Sequence, residues 1–441
     1  MARRGRNVGA TAWGVALVLG LGCGVPRHHD EQYVAGELER RTGHGLPRAP
    51  GETAGMPPGV SLEDGLSDDE AVAIALWNNA TFQTLVADLG FTRADLIKAG
   101  LLTNPVFSIL FPLGPKQLEF ALKLPIEALW LRPKRVAAAR IDADRAADGL
   151  VQNGLELVRD VRVACANLRL AGRRADLADM AVHLAEGIAQ DSEQRLQTGD
   201  ASALEVTVPR VEVLLARDER ARARQDLVLA RAQLTALLGG TVDVTEITMR
   251  ETAPPTAPVA HLVETALAGR PDMRAAELTV EAARERAGLS RYEVLAIAGI
   301  ADAKGHETKG LLLGPGLETG IPIFNWNQGG IALADAELDK ALRQERAVRQ
   351  RIALEVTDAA ARLETAAAQA AMWRGEVLPE LEEASHRAER AYKAGDVPLL
   401  LVLQTNAQLV KSQVREAEAA AEIVRARAEL ERSLGSRLET P

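Results

Sequence analysis

Few residues in this sequence have the type and spacing that chemistry needs. Its seven histidines include the adjacent pair His28-His29 and the isolated His306, and a metal centre would need them in a ligand spacing such as His-Glu-x-x-His or beside paired cysteines. Neither pattern occurs. The glycines of GLLLGPGLETG (310–320) are not followed by the Lys-Ser or Lys-Thr of a phosphate-cradling loop. No nucleophile stands beside a base. The expectation is therefore no catalytic residue, no cofactor and no resident metal.

The two cysteines read differently from each other. Cys23 closes the segment MARRGRNVGATAWGVALVLGLGCG, in which Arg3, Arg4 and Arg6 precede an apolar run from Val8 to Gly22. Basic residues ahead of a run too short to span a bilayer are the order of a secretory signal peptide. The closing LGLGC resembles the bacterial lipobox, with Gly20 where a branched apolar residue is usual. That resemblance implies lipidation of Cys23, and Gly24 rather than Asp behind it implies sorting to the outer membrane. Cys165 lies in a helix-periodic stretch and is expected as a small buried hydrophobe. With Cys23 carrying lipid, no disulfide framework remains.

The elements that must position anything functional are helical. The chain has 441 residues, of which 47% are hydrophobic and 3% aromatic, so its core rests on Ala, Leu and Val, a mix suited to closely approaching helices. A net charge of -9 with scattered Lys and Arg gives no basic footprint and excludes nucleic acid as a partner. The sequence divides into a signal peptide (1–22), an extended lipid-anchored tether (23–66), a first unit (67–249), a linker RETAPPTAP (250–258), a second unit (259–436) and a tail (437–441). The tether is rich in Pro and Gly towards its end, and Ser67 with Glu70 has the spacing of a capping box that opens the first unit.

The two units are copies. ARAQLTALLG (230–239) returns as ARAELERSLG (426–435), and Gly199-Asp200 returns as Gly395-Asp396, both 196 residues on. Pro125-Ile126 returns as Pro322-Ile323, 197 residues on. Each copy reads as helix, β-hairpin, very long helix, Gly-Asp turn and second long helix. Small apolar residues recur in steps of four and three from Leu150 to Ala189, and again from Ile352 to Val377, where the register shifts by one at Leu381. That is a coiled-coil seam. A helix from about Arg135 to Arg195 would run roughly 90 Å, so the paired helices would make a rod with the Gly-Asp turns at its far tip. Glycine there supplies a turn conformation that other residues adopt at a cost.

The β-hairpins, within 104–125 and 293–323, are expected at the other end, with strands Val106–Phe111 and Gln117–Leu124, then Glu293–Asp302 and Leu311–Ile323. No other apolar run approaches the length of a spanning helix, so any crossing of a membrane must be by strands. Strands of about ten residues suffice when tilted. Four cannot close a barrel whose smallest members have about eight strands, so the chain must oligomerise.

Four passages in order, SLEDGLSDDEAVAIALWNNA, AGLLTNPVFS, GRPDMRAAEL and GIPIFNWNQGGIALADAEL, together with the duplication, resemble the TolC family of outer-membrane efflux proteins. IFNWNQGG looks most like the members serving heavy-metal pumps. The resemblance covers the chain beyond the tether. It implies a mainly α fold of long antiparallel coiled-coil hairpins in two tandem repeats, and a homotrimer closing a twelve-stranded barrel. It also implies passive conduction of metal ions or small toxic compounds to the exterior, with a periplasmic adaptor and an inner-membrane pump as partners; the alternative reading is a periplasmic coiled-coil structural or adaptor protein. The tips Gly199, Asp200, Gly395 and Asp396 would meet the adaptor. Glu205, Leu401 and Gln404 hold the positions near the tip where some members narrow the mouth with a ring of acids. Leu401 and Gln404 depart from that acidic pattern. Leu401 would form an apolar constriction or a coiled-coil core position, and Glu205 a cation-attracting ring.

Overall fold

The computed structural model describes residues 30–46, 55–62, 65–111, 119–199, 202–240, 242, 261–294, 297–306 and 310–438. Cys23, His28, His29, Asp200 and the linker 250–258 lie outside them. Two compact units emerge. One comprises Asp88–Ala146 and Ala276–Gln344, and the other Glu31–Ala87, Ala147–Ala275 and Glu345–Pro441.

The strand-bearing unit holds one antiparallel sheet in the order β1 (Val106–Leu110), β2 (Glu119–Pro125), β3 (Ile297–His306) and β4 (Gly310–Thr319). The two hairpins read from the sequence thus merge, with Phe120 opposite Ala303 and Pro125 opposite Ala298. Their boundaries differ from expectation. β3 begins at Ile297, not Glu293, and the second ladder runs to His306 opposite Gly310, leaving a much shorter connection. Cross-strand pairing sets these limits, and pairing is not a local property. Helix ends flank the sheet: Val280 and Ala283 pack with Ala341, and Arg286 pairs with Asp142.

In the other unit the long helices pair as the seam requires. They are α4 (Ala128–Thr198) with α5 (Ala203–Leu237), and α8 (Gln328–Met372) with α9 (Leu378–Ala394) against α10 (Leu399–Leu434). Seam residues Leu150, Val161, Ala164, Ala175, Val182, Ile352, Val356, Ala359 and Ala366 are buried. α4 is 71 residues long, longer than the expected span. Cys165 is fully buried, and that burial pushes its thiol pKa well up. Opening the first copy, α2 (Asp68–Asn78) carries the expected capping box: Ser67 N–H donates to Glu70 Oε2 at 2.8 Å and Glu70 N–H to Ser67 Oγ at 3.2 Å. α3 (Ala80–Gly100) follows it, and in the second copy α6 (Leu262–Gly269) and α7 (Pro271–Tyr292) take the same order.

The tether expectation needs correction. Glu31–Thr42 is a helix, α1, whose Val34 and Leu38 are fully buried. Leu38 fills the space over Gly154, where an added Cβ would lie 2.6 Å from its Cδ2. Tyr33 OH donates to Asp148 Oδ1 at 2.8 Å, and Arg41 Nη1 to the carbonyls of Gly269 and Gly435, each at 2.8 Å. Two apolar residues one turn apart in a highly charged segment form no helix of their own accord; docking holds this one. The GRPD passage works nearby as a structural clasp. Arg270, buried between α6 and α7, donates to Asp272, to Glu355 and to the Ser433 carbonyl.

Candidate functional site at the sheet and the hairpin tips

Register sorts the sheet chemically, because opposed residues of neighbouring strands share a face and side chains alternate along each strand. One face carries Ser108, Glu119, Lys123, Asp302, Lys304 and Glu318, with Val106, Leu110, Ile300 and Leu312 among them. The other carries Phe107, Ile109, Phe120, Leu122, Leu124, Leu313 and Leu317 and, among the described residues, no charge. On the polar face Glu119 stands opposite Lys304, Lys304 Nζ lies 3.0 Å from Asp302 Oδ2, and Lys123 Nζ donates to Glu318 Oε1 at 2.7 Å across β3. On the apolar face Phe107 and Phe120 stack with centroids 6.1 Å apart. Large apolar side chains stand exposed on that face, Phe107 by 60%, Leu313 by 76% and Leu317 by 67%. In water such a surface is an aggregation hazard; in lipid it is the outward band of a barrel wall. Sequence reasoning counted the strands but missed this sorting, although alternation in EFALKLP and IADAK carried the signal. Among the described residues, β1 and β4 each have one unpaired edge.

The tips lie in the helical unit and differ in construction. At the first, α4 ends at Thr198 and Gly199 takes φ +85°. α5 then opens with a second capping box, in which Ser202 N–H donates to Glu205 Oε2 at 2.7 Å and Glu205 N–H to Ser202 Oγ at 3.4 Å. Glu205 is therefore a helix cap as well as an exposed carboxylate, a role its S-x-x-E spacing announced. At the second, Gly395 also has φ +85°, with Gly395 N–H bonded to the Tyr392 carbonyl at 3.0 Å and Asp396 N–H to the Ala391 carbonyl at 2.9 Å. This is the six-to-one and five-to-two bonding of a Schellman stop. Arg195 Nη1 donates to Tyr392 OH at 2.6 Å, joining the two hairpins close to their tips.

Leu401 and Gln404 lie one turn apart on an exposed face of α10, while Val402 and Asn406 face inwards and are buried. Leu401 is 41% exposed, so it is not a core position of its own hairpin. Among the described residues the bonds Glu205 makes are to Ser202, not to Leu401 or Gln404. Among the described residues no group of three or more His, Cys, Asp or Glu is arranged to hold a metal ion.

Two tandem copies of strand hairpin plus helical hairpin, feeding one sheet with a polar face, an apolar face and two open edges, define a subunit of a β-barrel conduit. Residues 117–240 and 301–436 match the outer membrane efflux protein family, and the chain belongs to that family. The cobalt-zinc-cadmium resistance protein CzcC of Cupriavidus metallidurans is 26% identical over 384 residues, 84% of this chain and 90% of that protein. Among solved structures, CusC aligns with a TM-score of 0.72 at 18% identity over 85% of this chain and 93% of its own. VceC from Vibrio cholerae aligns with a TM-score of 0.72 at 17% identity, covering 84% and 97% respectively. These structures share the helical-hairpin fold, and the membership places the protein in the outer membrane as an efflux channel.

Proposed function

We propose that three copies join edge to edge into a twelve-stranded barrel, and that the protein conducts substrate passively from a periplasmic adaptor and an inner-membrane pump to the exterior. The observation that carries this is the sheet: two open edges cannot face hydrocarbon unpaired, and all the charges described on its strands lie on one face. In this reading the adaptor docks at the tips containing Gly199, Asp200, Gly395 and Asp396. Leu401 and Gln404 line the narrow mouth, and exposed Glu205 adds negative charge there. Lipid on Cys23 supplies a second membrane attachment. The cargo class is divalent transition-metal cations, supported by the likeness to a cobalt-zinc-cadmium resistance protein.

The test is the mass of the detergent-extracted assembly together with conductance in a planar bilayer. A trimer with discrete single-channel steps is expected. A water-soluble monomer without conductance would replace this reading with a periplasmic structural protein. Loss of cobalt, zinc and cadmium tolerance on deletion of the gene, restored by the intact chain, is expected for the cargo class.

A further inference from the structure

Positive charge gathers where α1, α4 and the end of α10 meet in the helical unit. Arg41 of α1, Arg159 and Arg162 of α4, Arg432 of α10 and Arg437 just beyond it surround a cavity of about 10 Å³. Among the described residues Glu431 is the one acid in its wall, and Leu155, Val158 and Ala428 give it an apolar side. The same arginines bind the junction together. Arg41 Nη1 donates to the Gly435 carbonyl at 2.8 Å, the Arg437 N–H donates to the Arg41 carbonyl at 3.0 Å, and Arg159 Nη1 donates to Glu429 Oε2 at 3.2 Å.

The acids that neutralise these groups stand mostly behind the wall, and each is divided. Glu37 serves Arg40 and Arg41, Asp69 serves Arg162 and Arg437, and Glu429 serves Arg159 and Arg432. Glu431 serves Arg162 and Arg427, and Glu355 serves Arg270 and Arg432. One donor of the lining is unspent: Arg159 Nε is buried without a hydrogen-bond partner, since Asp160 Oδ1, 2.9 Å away on the adjacent residue, lies too far off the N–H direction to accept. Burial lowers the pKa of Arg162, and burial together with the charges of Arg162 and Arg437 lowers that of Arg427 to about 10. For Arg427 the neighbouring guanidinium groups push the same way as burial, the mark of positive charge only partly neutralised.

Volume and charge together select the occupant. A cavity of this size has room for about one water or one monatomic ion, so a phosphate or carboxylate, with oxygens around a central atom, is too large. The apolar side lowers the local dielectric and strengthens the pull of the arginines on a negative ion. We propose that the cavity holds one monatomic anion of the chloride class, which ties α1 to α4, to the end of α10 and to Arg437. Losing the anion loosens α1 first, because that helix depends on docking for its existence.

Hydrogen exchange on the full-length protein in detergent, in sodium chloride and in sodium gluconate at one ionic strength, tests this. Gluconate screens equally but is too large to enter. Chloride should slow exchange at 31–44 at least about fivefold, as for an anion present at about four times its dissociation constant. Exchange at 178–185, which begins roughly 24 Å along α4 from Arg162, should not change. Arg437→Gln, at a part-exposed position, removes one cation from the wall and should bring the ratio between the two salts to within about twofold of one. Loss of the ion pair with Asp69 alone would instead speed exchange equally in both salts. Crystals soaked in bromide should show one anomalous peak per chain in the cavity. Equal exchange at 31–44 in the two salts would overturn the site. So would a salt difference that survives Arg437→Gln, or a cavity without bromide, which would mean that it holds water.

Discussion

Adjacent residues on β2 offer the sharpest test of the membrane wall. Leu122 pairs with Phe107 and Ala301 on the uncharged face, while Ala121 pairs with Ser108 and Asp302 on the face that already holds Lys123, Lys304 and Glu119. An arginine facing lipid costs a β-barrel about 2–4 kcal/mol near the midplane, so Leu122→Arg should lower the assembled fraction roughly 30- to 700-fold at equilibrium. Ala121→Arg places the same charge in a polar, ion-paired surface, close to Asp302, and should cost about 0–1 kcal/mol. The assay is the amount of heat-resistant, trypsin-resistant oligomer in outer-membrane fractions, with conductance measured on whatever assembles. Leu122→Arg should nearly abolish the oligomer; Ala121→Arg should keep it and shift ion selectivity towards anions. Equal losses from the two variants, or a larger loss from Ala121→Arg, would refute the assignment of faces.

Gly154→Ala should push Leu38 out of its seat over α4, at an overpacking cost of about 1–3 kcal/mol, visible as faster exchange at 31–46 with the hairpins unaffected. Burial, reinforced by the hydrogen bond to Asp148, pushes the Tyr33 phenol up to about 12 from 10.0. A raised folded pKa favours the neutral phenol, so its stabilisation of α1 docking is complete below pH 10 and is lost as pH rises towards 12; absorbance titration with exchange at 31–42 reads this directly. Ser202→Ala should remove about 0.5–2 kcal/mol from the start of α5, seen in faster exchange at 203–206. Leu401→Ser, at an exposed position, should leave the thermal midpoint within a degree or so while raising single-channel conductance; unchanged conductance would remove Leu401 from the mouth.

Features governed by local sequence were legible in advance. The capping box at Ser67 and Glu70 depends on residues three apart, and the structure closes it. The seam from Leu150 and from Ile352 depends on periodicity alone, and even its slip at Leu381 was visible, although the π turn at Trp373–Val377 that absorbs it was not. Features governed by partners distant in the chain were not legible. The second hairpin lies beside the first because β2 pairs with β3 along its whole length. α1 forms because Gly154, more than a hundred residues away, leaves room for Leu38. Glu205 is a different case: its cap partner Ser202 lies three residues away and was legible, but the residue was read for charge alone.

By itself, then, the sequence determined the duplication, the helical hairpins with their glycine turns, and the need for strands completed by other copies. These follow from periodicity, from glycine's access to positive φ and from the short reach of four strands. Only the tertiary structure decided that the two hairpins share one sheet, which residues share its charged and its uncharged face, that the expected tether carries a docked helix, and that one hairpin is laddered by ion pairs while the other is wound around a π turn. The reason is physical: register and docking are set by contacts between segments far apart in the chain, and no window of local sequence contains both partners.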